Sequence, residues 1–138
     1  MKWRYSDRFS SLPALVLEVE IVATGTDRFR RVPAKIDTGS DITVVPESLV
    51  VELRLLEFGK RLLRAVGHPA YRSMTYYGTI VVESRSFDVE MATQDRPYVL
   101  LGRDVINQFV LHADGVAEIF ELTWPSPLSA KRRRLRKR

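Results

Sequence analysis

Short apolar alternations, broken at regular intervals by turn residues, constrain this chain more than any other feature. Leu15, Leu17, Val19 and Ile21 share one face at period two, while Glu18 and Glu20 face the other way, the pattern of a half-buried strand. Thr24-Gly25-Thr26-Asp27 reads as a turn. A second strand follows, with Val32, Ala34 and Ile36 on one face and Lys35 on the other, so the two form a hairpin that delivers the chain to Asp37. Ile42-Thr43-Val44-Val45 is β-branched and short, as a buried strand would be, and Pro46-Glu47-Ser48-Leu49 has the chemistry to start a brief helix. Arg61 to Val66 and Met74 to Val82 read as two extended arms around a tip at Gly67-His68-Pro69. Phe87, Val89 and Met91 alternate with Asp88 and Glu90. Asp95-Arg96-Pro97 then turns the chain into Tyr98–Leu101. Val105, Ile106 and Phe109 make the segment from Arg103 to Phe109 the helix candidate. Two last strands, Val110–His112 and Val116–Glu121, flank a turn at Ala113-Asp114-Gly115. Many short strands and one short helix predict an all-β, barrel-like domain.

The 138 residues allow one domain with a real hydrophobic core. A formal charge of +5 misleads until it is mapped, because Lys131, Arg132, Arg133, Arg134, Arg136, Lys137 and Arg138 supply seven cations at the C-terminus. Without them 15 Lys+Arg face 17 Asp+Glu, so residues 1–130 carry −2. The body is therefore not a basic nucleic-acid-binding surface. From Pro125 onward the composition predicts a flexible basic tail, giving a domain over 1–124 and a tail over 125–138. That tail has three readings: a solvated extension, a weak contact with nucleic acid or an anionic surface through counterion release, or a site of autoprocessing. The absence of cysteine excludes a disulfide framework and a thiolate zinc site. No apolar run approaches a transmembrane length, and the first residues lack the apolar core of a secretory signal, so a cytoplasmic setting is the default expectation.

Two elements carry chemistry. In Lys35-Ile36-Asp37-Thr38-Gly39-Ser40-Asp41-Ile42 an acid sits between apolar strands, where burying a charge is costly. Gly39 permits a backbone course that a Cβ would obstruct, and the hydroxyls of Thr38 and Ser40 can satisfy neighbouring polar groups. Asp-Thr-Gly alone also makes ordinary turns. In Leu100-Leu101-Gly102-Arg103-Asp104, two apolar residues run into a glycine and the helix candidate follows, with Asp104 well placed near a helix start.

In this order, the two elements resemble those of the retropepsin family, the single-domain aspartic proteases typified by retroviral enzymes. The resemblance covers about residues 12–122 and includes the hairpin into Asp37-Thr38-Gly39, the Gly67 hairpin tip and the Leu-Leu-Gly-Arg-Asp entry to a helix. It implies an acid-protease barrel with a flap hairpin and one short C-terminal helix. It further implies that Asp37 is the catalytic carboxylate, that Thr38 braces the loop across a dimer, and that Gly39 offers its carbonyl to substrate. Asp41 and Arg103 would form an ion pair tying that loop to the helix, a pairing with its own two-pronged geometry. Substrate would be lined by Gly39, Ser40, Asp41, Val44, the flap residues Val66, Gly67 and His68, and Pro97, Tyr98 and Leu100. No metal and no cofactor is implied. The flap departs from the glycine-rich tips of retroviral members, since His68-Pro69 follows Gly67 and stiffens it. Whether Met1–Ser11 or Leu122–Pro125 supplies interleaved terminal strands is left open by the sequence.

This chemistry needs two carboxylates around one water, and like charges so close cannot both ionise. The chain holds no second Asp-Thr-Gly or Asp-Ser-Gly, and Asp114-Gly115 lacks the intervening hydroxyl residue. A two-fold axis solves the shortage, which predicts a homodimer acting on polypeptide substrates. The rival expectation is a noncatalytic dimerisation or protein-binding module of the same fold. A nucleic-acid-associated β-domain working through the tail ranks third. His68 and His112 have no partner spacing for a metal site or a triad and read as surface or flap residues. Trp3 and Trp124 read as packing the terminal segments.

Overall fold

The computed structural model describes residues 1–126 of the chain, so the basic tail falls outside the described residues except for its first two positions. Ten strands and two short helices follow one another: β1 (Lys2–Arg4), β2 (Val16–Val22), β3 (Phe29–Ile36), β4 (Val44–Pro46), α1 (Glu47–Leu53), β5 (Leu56–Leu63), β6 (Tyr71–Val82), β7 (Arg85–Gln94), β8 (Val99–Leu101), α2 (Arg103–Ile106), β9 (Val110–Asp114) and β10 (Ile119–Thr123).

Seven strands form one sheet in the order β2-β3-β8-β4-β7-β6-β5, and β2 also pairs with β6, closing six of them into a barrel. The seam aligns Glu20 with Val81, Ile21 with Ile80 and Val22 with Thr79. Alternation does the sorting expected of it. Leu17, Val19 and Ile21 are buried on β2, as are Ala34 on β3 and Ile80 and Val82 on β6. Met91, Val99 and Leu101 complete the barrel core. β5 extends beyond the closed barrel and pairs with β6 from Leu56↔Tyr77 to Leu63↔Tyr71, so this hairpin projects as a flap.

A second sheet, β1-β10-β9, packs the two ends of the domain together. Trp3 stacks on Phe120 at 5.2 Å between ring centroids, and Trp124 meets Phe87 and Phe109 while Arg85 lies over its ring. Both tryptophans thus pack terminal segments. β1 pairs with β10 inside one chain, a use of the N-terminal segment with no signal in three residues of sequence.

Several elements differ from the sequence expectation for identifiable reasons. The brief helix expected to start at Pro46–Leu49 forms and runs to Leu53, because Leu49 and Leu53, one turn apart, anchor α1 in the core, and Arg54 ends it in the left-handed conformation. The C-terminal helix stops at Ile106 instead of Phe109. Gln108 and Phe109 donate their N–H groups to carbonyls three residues back, tightening the last turn out of α-geometry. The final hairpin turns at 115–118 rather than 113–115. Asp114 stays in β9 and its carboxylate accepts the N–H groups of Val116 and Ala117 at 3.0 and 2.9 Å, leaving Val116 fully exposed in the turn. The flap arms start earlier than expected on β5, and the tip spans 64–70 with Gly67 at φ +80°. Ile42 and Thr43 precede β4 instead of belonging to it.

Candidate active site

β3 and β8 run parallel with Ile36 beside Leu101, and the Asp37 N–H continues the ladder by donating to the Leu101 carbonyl at 3.0 Å. The strand pair therefore delivers Asp37 to the rim of the barrel, half-buried, at the start of a tight loop. The Gly39 N–H donates to Asp37 Oδ1 at 2.9 Å and the Ser40 N–H to the Asp37 carbonyl at 3.2 Å. A Cβ on Gly39 would lie 3.2 Å from Oδ1, so a larger residue would crowd that hydrogen bond. Asp37 Oδ2 has no partner among the described residues, and Thr38 and Gly39 beside it are exposed.

The loop is clamped by the start of α2. The Arg103 guanidinium donates to the Thr38 carbonyl at 3.1 Å through Nη1 and pairs with the Asp41 carboxylate through Nη2, while the Arg103 N–H donates to the Ser40 carbonyl at 2.8 Å. One rigid fork thus reaches two points of the same loop, which a point-charge ammonium could not do. Asp41 is 81% exposed, so this ion pair adds little to stability and acts mainly through geometry. Replacing Arg103 with lysine is expected to cost under about 1 kcal/mol in urea unfolding. The Thr38 carbonyl, held by the guanidinium at 3.1 Å, should lose its fixed position in that variant. A loss well above about 1 kcal/mol would show that the pair does more than set geometry.

A second clamp lies beneath the first and was missed at the sequence level. Thr43 is fully buried; its N–H donates to Asp104 Oδ2 at 3.0 Å and its hydroxyl to Asp104 Oδ1 at 2.8 Å. The Gly102 N–H donates to the same hydroxyl at 3.0 Å, and the Val105 N–H donates to Asp104 Oδ1 at 3.0 Å. Asp104 is therefore a helix-start residue, as expected, and also the anchor of the strand that follows the Asp37 loop. Gly102 is required by close approach: a Cβ there would stand 2.7 and 2.8 Å from the backbone carbon and oxygen of Ile42. The one available signal was a threonine inside a β-branched run, which no rule pairs with an acid so far along the chain.

The structure brings Asp37, Thr38, Gly39, Ser40, Asp41 and Arg103 into one cluster. Val44 and Leu100 lie directly opposite each other where β4 meets β8, both half-buried at the rim. Pro97 is exposed in the bend before β8. Tyr98, expected at the cleft, is instead 6% exposed, with its ring 4.6 Å from that of Phe9 and its hydroxyl accepting from Arg96 at 2.9 Å. The N-terminal segment covers it, a contact only tertiary structure reveals. Val66, Gly67 and His68 stand exposed at the flap tip, and no hydrogen bond or ion pair joins them to the Asp37 loop among the described residues. No helix among the described residues is long and apolar enough to cross a membrane.

No protein-family model matches the chain, and no curated protein matches it. Solved structures do. The simian foamy virus (mac) protease is 27% identical, with a TM-score of 0.52 over 67% of this chain and 92% of that one. A foamy viral protease-reverse transcriptase in complex with an RNA/DNA hybrid is 23% identical, with a TM-score of 0.58 over 88% of this chain but only 14% of that one. The same type of protein bound to double-stranded DNA gives 21% identity and a TM-score of 0.53, over 86% of this chain and 19% of that one. The match thus covers a small part of the viral protease-reverse transcriptases and nearly the whole of the separate protease. A closed six-stranded barrel, a projecting flap and a rim loop clamped by a short helix, joined to these likenesses, make this the retropepsin-like fold of the retroviral proteases.

Proposed function

We propose that the chain is one half of an aspartic endopeptidase that acts as a homodimer on extended polypeptide segments. The observation that carries this reading is Asp37 itself: a carboxylate fixed at the barrel rim by Gly39, with its second oxygen unpartnered and its loop braced from two directions. A plain surface turn needs neither brace, and here Asp37 itself is half-buried.

Two copies meeting across a two-fold axis would place both Asp37 carboxylates on one water. The ionised member takes a proton from the water, whose oxygen bonds to the peptide carbonyl carbon. The protonated member gives its proton to the carbonyl oxygen, forming a gem-diol. Proton transfer to the amide nitrogen then breaks the C–N bond and releases two chains. The pair shares one proton throughout.

The test combines cleavage with assembly. Purified protein is incubated with a diverse peptide library at mildly acidic pH, with and without a transition-state-mimicking aspartic protease inhibitor. Inhibitor-sensitive cleavage supports the reading. Activity per milligram should also fall steeply on dilution below the dimer dissociation constant, tracking the dimer fraction measured by sedimentation. Cleavage by a species that remains monomeric at all concentrations would refute a shared site.

A further inference from the structure

The flap has a charge asymmetry that its strand register turns into a preference. From Phe58 to Val82 the chain carries Lys60, Arg61, Arg64 and Arg72 and not one carboxylate, although residues 1–130 as a whole are net acidic. Arg61 is neutralised: its Nε donates to both oxygens of Glu90 at 2.8 and 3.0 Å, and Thr75 adds a third hydrogen bond to that carboxylate. Lys60, Arg64 and Arg72 have no carboxylate partner among the described residues.

Register decides which face these cations occupy. On β6 the residues Gly78, Ile80 and Val82 are buried against the barrel core. The same parity continues through Tyr76 and Met74 to Arg72. Across the hairpin Lys60 aligns with Met74 and Leu62 with Arg72. Lys60, Leu62, Arg72 and Met74 therefore share the face that continues the barrel interior. The neutralised Arg61, opposite Ser73, lies on the opposite face with Thr75 and Glu90. The bulge between Glu57 and Gly59 falls before Lys60, so it does not disturb this sorting.

Resting on the endopeptidase reading, we infer that the inner face of the flap selects acidic polypeptide segments, with Lys60 and Arg72 receiving Asp or Glu side chains of the substrate on either side of the cleaved bond and Leu62 and Met74 contacting apolar neighbours. An extended peptide repeats its side-chain direction every ~7 Å, matching the alternation of cation and apolar side chain along each flap arm. A nucleic acid is the poorer occupant, since Lys60 and Arg72 share their face with Leu62 and Met74 instead of forming a continuous basic stripe. The same charges oppose cleavage within residues 131–138, where the chain's own tail carries seven cations.

The experiment uses one peptide frame in which Glu, Gln or Lys is placed in turn at each of the positions flanking the bond. At low salt the Glu peptides should be cleaved with kcat/KM about five- to tenfold above the Gln peptides, and Lys peptides should be worst. The preference should shrink as ionic strength rises. The double variant Lys60→Glu, Arg72→Glu should reverse the order, favouring Lys peptides. A second arm measures fluorescence anisotropy of the same labelled peptides on the Asp37→Asn chain, so charge selection is read even where nothing is cut. Cleavage without any charge preference would overturn this inference and leave the endopeptidase reading standing. Charge-selective binding without cleavage by the wild type would do the reverse. Equal binding of Glu, Gln and Lys peptides, or tight binding of a single-stranded oligonucleotide in their place, would sink it.

Discussion

Changing Asp37 to asparagine is expected to lower peptide cleavage by at least about a thousandfold while leaving the assembly intact. The substitution keeps the shape of the side chain and an acceptor oxygen for the Gly39 N–H, so the loop has no reason to move. What it removes is the capacity to exchange a proton. In a symmetric site it removes it from both members at once, so neither base toward water nor acid toward the carbonyl remains. Cleavage would be followed with a fluorogenic peptide and assembly by sedimentation. Mixing wild-type and Asp37→Asn chains adds a sharper reading: activity should fall below the wild-type fraction present, because mixed dimers hold only one competent carboxylate. Wild-type turnover by Asp37→Asn would mean that the chemistry lies elsewhere.

The largest expected effect on stability belongs to Asp104→Ala. Its carboxylate accepts from the Thr43 N–H, the Thr43 hydroxyl and the Val105 N–H. Thr43 is fully buried, so two of those donors would be stranded away from water. Each stranded donor costs about 1–3 kcal/mol, and the sum is placed near 3 kcal/mol. Unfolding in urea should show a lower midpoint with an unchanged slope, and the melting temperature should drop by roughly 10 °C. Asp104→Asn keeps one acceptor and should lose roughly half as much. A change under about 0.5 kcal/mol for the alanine variant would show that the bracket contributes nothing to the fold.

These two residues also mark how far the sequence could be read. The position of Asp37 was legible because the strand alternation before it fixes where the chain must emerge, while its role came only from the family resemblance. Leu17, Val19 and Ile21 were legible for the same kind of reason: period two is a local property. Gly102 was visible as a glycine, but its cause, the backbone of Ile42 pressed against it, is a contact between distant segments. The Thr43–Asp104 bracket, the β1–β10 pairing and the cover of Phe9 over Tyr98 are all contacts of that kind. No spacing rule encodes them. α1 was half-visible, since Leu49 and Leu53 carry a helical spacing while the adjacent Val50 and Val51 argue for a strand. Packing of the two leucines decided it.

The seam at Glu20↔Val81 has a kinetic consequence. β2 cannot find β6 until the segments between them have already been arranged, and topologies dominated by such remote pairings mature slowly, in milliseconds to seconds. The ladder from Leu101 to Asp37 depends on still more distant partners. A nascent or partly organised chain consequently lacks the framed carboxylate, because Asp37 is fixed only once Leu101 has joined the ladder.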